Sequence, residues 1–299
     1  MWTLETHACD AEELAFSADG ARLFARCGLG LRIADVAEGR WTHYPDVGGS
    51  EPGLAVSPGG DLVAAGRWVW EVEQLRMTPP AHHAGPLPGH AAAWSPDGAL
   101  IACVGHDGAV RLATLSGVVT RVLTPPRAPG DPAQQDWLWW HDPLVRFSPD
   151  GSRLAARMPG GVRVWEATTG TLLLELRDVE PVADLRFSRD GSTLATVAQG
   201  RLVHWLVPGG IELAALPLLA ASSSPWHSYG SFAISPDLRS VSCSRGSGRL
   251  PNPLETKSLD GTHRWRWTGL YTRALAYSPD GQFVAACGAN TLVQLWRAD

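Results

Sequence analysis

The sequence repeats a five-residue stretch, which in its clearest copy reads Phe147-Ser148-Pro149-Asp150-Gly151. The serines of its seven copies are Ser17, Ser57, Ser95, Ser148, Ser188, Ser235 and Ser278. Successive serines are 40, 38, 53, 40, 47 and 43 residues apart, a period too long for one strand and too short for a domain. The chain is therefore predicted to be an array of seven copies of one supersecondary unit.

The residue types of this stretch are those of a tight turn. Proline presets φ for the first turn position, aspartate can bond the neighbouring backbone, and glycine supplies a positive φ where the chain reverses. Around the fourth copy, alternating residues predict strands at 144–147, 153–156, 162–166 and 171–176. One unit is thus predicted to be a four-stranded antiparallel meander.

The third strand of the unit carries a second signal. One position in it is tryptophan in four repeats, namely Trp70, Trp165, Trp205 and Trp296. The same position is occupied in the other three repeats by Ala34, Ala113 and Thr256. Tryptophan at this point, together with the turn stretch, resembles the repeat of the WD40 family of β-propellers, and the resemblance covers essentially the whole chain.

Other markers of that family are only partly present. Its buried aspartate between the second and third strands is matched by Asp107 and in part by Asn290. Its histidine before the first strand is matched by His7 and, more loosely, by His90, His141 and His227. The resemblance implies an all-β, seven-bladed β-propeller of four-stranded antiparallel blades. Most blades would lack the family's complete buried Asp-His-Ser-Trp network.

Such a ring is expected to close in register. Its blades have strands a to d, counted from the central channel outward. From Ser278 to the last residue and on from the first residue to Ser17 is 38 residues, one ordinary period. Strands a to c of the last blade end at Leu295-Trp296, and Trp2-Thr3-Leu4 is predicted to add its strand d, which removes an exposed edge. We expect one domain over residues 1–299.

Composition narrows the function classes. The net charge of -5 does not favour nucleic acid as a partner, and no apolar run approaches a membrane span. The first ten residues lack the apolar run of a secretory signal, so we expect a cytoplasmic protein. Arginine dominates the basic residues, which favours a bacterial source. The repeated cysteines Cys27, Cys103, Cys243 and Cys287 are expected to be unpaired, buried small residues.

Three long connections between strand d of one blade and strand a of the next are predicted to share one face with the b-c turns. They cover residues 79–90, 125–143 and 222–229. Their aromatic residues are candidate anchors for a protein or peptide: Trp137, Trp139, Trp140, Trp226 and Tyr229. The alternative is that these rings fold inward and cap the blades or the channel.

Arginines recur in the predicted b-c turns. They are Arg67, Arg157, Arg201, Arg245 and Arg249. If they converge near the channel mouth, their guanidinium groups suit a carboxylate or phosphorylated motif, and we select Arg157, Arg201 and Arg245 as candidate partner-binding residues. The alternative is that they are ordinary solvated turn residues.

Catalysis has little support in the sequence. No nucleophile elbow or phosphate-cradling loop occurs, and the repeated aspartates lie in turns. We therefore expect a non-catalytic binding scaffold without a cofactor, either a monomer or a subunit of a complex. The alternative is a metal-dependent enzyme or small-molecule binder at the channel mouth, which would use His82, His83, His141, Asp142 and His227.

Overall fold

The computed structural model describes most of the chain. The described residues are 2–5, 10–27, 30–43, 53–73, 87–105, 109–123, 144–158, 160–179, 182–218, 229–245, 253–267, 272–288 and 292–298. Regular structure in this part of the chain consists of strands. None of these residues forms a helix long and apolar enough to cross a membrane.

The strands follow the predicted repeats, beginning with β1 (Trp2–Glu5). Blade 1 contains β2 (Ala11–Phe16), β3 (Arg22–Cys27), β4 (Gly30–Asp35) and β5 (Arg40–His43). Blade 2 contains β6 (Leu54–Val56), β7 (Leu62–Ala65) and β8 (Trp68–Glu71). Blade 3 contains β9 (His90–Trp94), β10 (Ile101–Val104), β11 (Val110–Ala113) and β12 (Val119–Val122). Blade 4 contains β13 (Val145–Phe147), β14 (Arg153–Met158), β15 (Gly161–Glu166) and β16 (Leu172–Arg177).

The second half of the chain repeats this arrangement. Blade 5 contains β17 (Val182–Phe187), β18 (Thr193–Ala198), β19 (Arg201–Leu206) and β20 (Glu212–Pro217). Blade 6 contains β21 (Tyr229–Ile234), β22 (Ser240–Arg245), β23 (Pro253–Ser258) and β24 (His263–Trp267). Blade 7 contains β25 (Thr272–Tyr277), β26 (Phe283–Gly288) and β27 (Leu292–Arg297).

The seven sheets form a closed ring, which confirms the predicted all-β, seven-bladed propeller. The first strands of successive blades contact one another in chain order, and β25 contacts β2. Six sheets have four strands, with each strand hydrogen-bonded to the next. Blade 2 has three strands among the described residues, because residues 74–86, which follow β8, lie outside them.

The two ends of the chain complete the last blade together, as predicted. Strand β1 pairs antiparallel with β27, with Trp2 opposite Leu295 and Glu5 opposite Leu292. The order of that sheet is β1-β27-β26-β25, so β1 is its outermost strand. The pairing covers the edge of β27 that would otherwise be open.

The turn between strands a and b is built on a buried serine hydroxyl. In blade 4, Ser148 Oγ donates to Asp150 Oδ1 at 2.6 Å and accepts the Arg153 N–H at 2.9 Å. Asp150 Oδ1 also accepts the Ser152 N–H at 3.0 Å, and the Gly151 N–H donates to the Ser148 carbonyl at 2.8 Å. The serine-to-aspartate bond recurs at Ser17, Ser95, Ser188, Ser235 and Ser278.

The two copies that depart from the turn sequence keep its geometry. Blade 2 has glycine where aspartate is expected, and Asp61 takes over, since Ser57 Oγ donates to its carboxylate at 2.8 Å. Blade 6 has Leu238 in place of the glycine, with a φ of 62°. This positive φ costs about 1 kcal/mol for a non-glycine residue, but the Leu238 side chain is buried among Val241 and other apolar residues.

Neighbouring a-b turns pack on one another. A side chain built on Gly151 would lie 3.3 Å from Pro96 of the preceding blade, and one built on Gly281 would lie 3.5 Å from Pro236. Both glycines also have φ of 74°, so an L residue would be strained at either position. The proline and the glycine of the turn therefore serve two neighbouring blades at once.

The core consists of apolar side chains packed between blades. Leu154 and Trp165 of blade 4 pack with Val104 and Leu112 of blade 3, for example. The strand-c tryptophan keeps a polar partner in blade 5, where Trp205 Nε1 donates to Thr196 Oγ1 at 2.9 Å. The four repeated cysteines are buried and unpaired, as expected, and burial raises the pKa of Cys103 and Cys287 to about 12.

Blade 6 lacks the strand-c tryptophan and has a row of hydrogen-bonded hydroxyl groups near that position. Thr256 occupies the tryptophan position and its Oγ1 lies 2.8 Å from Ser242 Oγ. Ser242 Oγ lies 2.6 Å from the hydroxyl of Tyr277, which comes from blade 7. Tyr277 thus replaces part of the missing ring with an aromatic group from the neighbouring blade.

Deleting residues 1–6 should lower the melting temperature by several degrees, because β27 would lose the strand that covers its edge. Thermal unfolding followed by circular dichroism measures the change. Thr3→Ala is the control, since this side chain is exposed and the backbone pairing persists. A melting temperature unaffected by the deletion would contradict closure by β1.

Asp150→Ala should lower the free energy of unfolding by about 1 kcal/mol, because the Ser148 hydroxyl and the Ser152 N–H lose their acceptor. Denaturant titration measures this difference. Glu73→Ala is the control, since Glu73 is exposed and its ion pair with Arg22 is a surface pair of 3.4 Å. Equal losses in the two variants would show that the turn aspartate has no special role.

The turn aspartates also predict an acid limit to stability. The serine hydroxyl, followed by a backbone N–H, lowers the pKa of Asp19, Asp97, Asp150 and Asp280, and that of Asp190 to about 2. In the unfolded chain the pKa of such a carboxyl group is ~3.9. Between these values the unfolded chain binds more protons, so the stabilisation is present above pH ~4 and is lost toward pH ~2.

We expect the melting temperature to fall as the pH decreases from 5 to 2.5. It should fall less steeply in an Asp19→Asn/Asp97→Asn/Asp190→Asn variant, which no longer titrates at three turns. Thermal scans over this pH range test the prediction. Identical slopes for the two proteins would refute it.

Candidate functional site

One end of the propeller carries connections of very unequal length. We call this end, where the d-a connections and b-c turns meet, the insertion face. Blade 3 ends its strand d at Val122, and the next strand begins only at Val145. Blade 4, by contrast, ends at Arg177 and blade 5 begins at Val182. The a-b turns at the opposite end keep one geometry in all seven blades.

Most of the predicted aromatic anchors lie outside the described residues. These are Trp137, Trp139, Trp140 and Trp226. The candidate metal ligands His82, His83, His141, Asp142 and His227 also lie outside them, as does Arg249. For these residues the sequence-based predictions stand as predictions.

The structure brings two predicted site residues together in blade 6. Tyr229 is the first residue of β21 and Arg245 is the last residue of β22. The two are register partners across the antiparallel pair. Their backbones therefore lie side by side at the insertion-face end of the blade.

Arg157 and Arg201 lie at the same end of their blades, but their side chains run in different directions. Arg157 Nη1 donates to the carbonyl of Val182, the first residue of the innermost strand of blade 5, at 2.9 Å. Arg201 Nη2 instead lies 2.8 Å from Glu212 Oε1 on the outermost strand of its own blade. Convergence of these two arginines at the channel mouth has no support from these contacts.

The arginine of blade 2 has a contact of the same kind as Arg157. Arg67 Nε donates to the carbonyl of Leu87 at 3.1 Å, and the Leu87 N–H donates to the Arg67 carbonyl at 2.8 Å. Leu87 is fully buried just before strand a of blade 3. Arg67 and Arg157 thus each hydrogen-bond to the backbone at the start of the next blade, which is a structural role.

The innermost strands carry charged residues that were not predicted from the sequence to have a role. In blade 1, Glu12 and Glu13 of the innermost strand β2 pair with the buried Arg26 of the adjacent strand β3, Glu13 at 2.6 Å and Glu12 at 3.0 Å. Glu13 also accepts the Gly53 N–H of blade 2 at 2.9 Å, and Arg273 of blade 7 lies 3.4 Å from Glu12. This cluster links three consecutive blades across the point where the ring closes.

A second charged cluster lies on the innermost strands of blades 4 and 5. Asp184 accepts the Leu185 N–H at 2.9 Å and the Ile234 N–H of blade 6 at 2.8 Å. Arg186 Nη1 donates to the Ile234 carbonyl at 3.1 Å. Arg146 Nη2 lies 4.0 Å from Asp184, and Arg146 Nη1 donates to the adjacent Val145 carbonyl at 2.9 Å.

Burial shifts the pKa values of two residues in this second cluster. Burial raises the pKa of Asp184, and Arg146 and the backbone N–H groups oppose that rise. Burial likewise lowers the pKa of Arg186, and the nearby charge of Arg146 lowers it further, whereas Asp184 acts in the opposite sense. The sequence did contain a signal for the arginines, since both stand two residues before the motif serine.

A metal centre finds no support in the described ranges. Within them, no three histidine, cysteine, aspartate or glutamate side chains lie close enough together to hold an ion. His90, a match to the family histidine, is buried at the start of β9. The polar contacts described above are mainly between guanidinium groups and backbone carbonyls, as for Arg157, Arg67 and Arg186.

Comparison with known proteins agrees with this architecture. The family model described as "WD domain, G-beta repeat" matches residues 75–112 and 268–297. None of the curated proteins matches the chain in sequence. The crystal structure of the Cps50 (Swd1) β-propeller domain from Myceliophteria thermophila is similar with a TM-score of 0.70 at 16% identity, over 98% of each chain. The repeat matches, which cover 68 of the 299 residues, and the closed ring of seven blades together support a WD40-type β-propeller fold.

Proposed function

We propose that this chain is a non-catalytic scaffold that binds a protein or peptide on its insertion face. One observation carries the proposal: the connections between blades differ strongly in length at that face, whereas the a-b turns of the opposite face are uniform. Loops on a rigid scaffold are where binding residues concentrate, because they vary without disturbing the core. WD40 propellers in general are platforms for protein interaction.

The proposed contact residues differ in what they would supply. Trp137, Trp139, Trp140 and Trp226, with Tyr229, would provide large apolar surfaces that carry one polar group each. Arg245, whose backbone is the register partner of that of Tyr229, would supply a positive charge in the same blade. Such a pair suits a partner with an apolar side chain next to an acidic or phosphorylated one.

The other two arginines would contribute in different ways. Arg201 is exposed and shares its charge with Glu212, so it can exchange this partner for an acidic group of a ligand at little cost. Arg157 is partly buried and bonded to Val182, so a role in binding would be to hold the strand that borders the site. We accordingly expect Arg201→Ala to weaken binding without loss of stability.

The proposed scaffold also has an expected domain organisation, location and assembly state. We infer a single domain over residues 1–299, without a cofactor, that acts in the cytoplasm as a monomer or as a subunit of a complex. The competing hypothesis is a metal-dependent enzyme or small-molecule binder using His82, His141, Asp142 and His227. Stoichiometric metal that survives dialysis, measured by elemental analysis, would favour that hypothesis over the scaffold.

A Trp139→Ala/Trp140→Ala/Trp226→Ala variant should lose the partner that the wild-type protein captures from a lysate of the source organism. The loss is expected because apolar anchors supply most of the binding free energy in such interfaces. The measurement is affinity capture with identification of the retained proteins by mass spectrometry. Circular dichroism establishes that the variant is folded.

The matched control removes the same number of apolar side chains elsewhere. Val118→Ala/Leu172→Ala/Leu213→Ala truncates residues that are 60%, 48% and 53% exposed on the outer rim of blades 3 to 5. Capture should survive in this control. Equal capture by the tryptophan variant and the wild type would move the binding surface away from the insertion face.

A further inference from the structure

One position on the innermost strands carries a charged residue in two blades and alanine in the other five. The position two residues before the motif serine lies on the innermost strand of every blade. It is alanine in five blades, namely Ala15, Ala55, Ala93, Ala233 and Ala276. In the adjacent blades 4 and 5 it is Arg146 and Arg186. Ala55 and Ala233 are buried among apolar side chains between blades, and the two guanidinium groups stand on neighbouring innermost strands.

Arg146 is accessible although it lies on an innermost strand. Its side chain is 45% exposed, while that of Asp184 beside it is 15% exposed. The strand that carries Arg146 contacts the innermost strands of both neighbouring blades, so the open side is the channel. A solute in the channel can thus reach the guanidinium group of Arg146.

The guanidinium groups of the cluster keep donors that its carboxylates do not use. Asp184 already accepts two backbone N–H groups, and Asp237 also favours the charged form of Arg186. Arg146 and Arg186 each donate to one backbone carbonyl, which leaves further donors on each guanidinium. At the ring closure, by comparison, Arg26 and Arg273 form ion pairs of 2.6, 3.0 and 3.4 Å with Glu13 and Glu12, all shorter than the 4.0 Å between Arg146 and Asp184.

Two guanidinium groups held near each other in a partly desolvated place repel, and a bound anion relieves that repulsion. Guanidinium groups recognise planar or tetrahedral oxygen groups through paired N–H donors. We propose that the central channel between blades 4 and 5 binds an oxyanion of the phosphate or carboxylate class on Arg146 and Arg186. The site lies toward the a-b turns, away from the insertion face, and does not depend on the proposed scaffold function.

Inorganic phosphate is the first probe, titrated by calorimetry into the full chain at constant ionic strength, with chloride as the reference anion. Wild-type protein should bind it, and Arg146→Gln should weaken binding by at least about tenfold. Arg189→Gln should leave binding unchanged, because Arg189 is an exposed arginine in the a-b turn of blade 5 and its loss changes the net charge equally. Phosphate affinity that is the same in all three proteins would overturn the proposal.

Two further arms separate the source of the oxyanion and guard against misfolding. A phosphoserine peptide that binds through Arg146 when free phosphate does not would support an oxyanion carried by a partner. Absence of binding for phosphate, acetate and the peptide alike would overturn the site. Arg146→Lys keeps the charge but loses the paired donors, so it should bind phosphate more weakly than wild type while its circular dichroism spectrum is unchanged.

Discussion

The serine hydroxyl of the a-b turn is the interaction on which the regularity of this propeller depends. It donates to an aspartate and accepts a backbone N–H, so one buried atom fixes both sides of the reversal. Because the turn of one blade packs on the turn of the preceding blade, the seven hydroxyls place seven innermost strands at one level. Blade 2 shows the strength of this constraint, since Asp61 supplies the carboxylate from a shifted position.

A second constraint comes from the innermost strands themselves. Each has one edge that faces the channel without a strand partner, so its backbone groups need other partners. Side chains of neighbouring blades supply them: Trp94 donates to the Ala55 carbonyl, and Glu13 accepts the Gly53 N–H. Asp184 and Arg186 do the same for both backbone groups of Ile234. Charge on these strands therefore begins as a structural requirement, and the exposed guanidinium of Arg146 keeps donors that a ligand can use.

The two ends of the propeller consequently have different freedom to vary. At the a-b end every blade repeats a turn that its neighbours contact, so substitutions there disturb the ring. At the insertion face the connections join strands that are already fixed by their sheets, as between Val122 and Val145. Binding residues can therefore accumulate at the insertion face without loss of fold.

The sequence by itself determined the architecture of this protein: the number of blades, the strands of the fourth repeat to within two residues, the closure by Trp2 to Leu4, and the unpaired cysteines. Local chemistry was sufficient for these, because turn residues and alternation act within one repeat and the period counts the repeats. It also named Arg157, Arg201, Tyr229 and Arg245, whose backbones lie at the expected face.

Only the tertiary structure decided where those side chains go and which other residues join them. Arg157 bonds inward and Arg201 bonds outward although they occupy similar positions in sequence. Tyr277 completes the core of a different blade, and Asp184 of blade 5 lies 4.0 Å from Arg146 of blade 4. The physical reason is that these contacts join residues of different repeats, so they depend on how the ring brings neighbouring blades together and not on the pattern within any one blade.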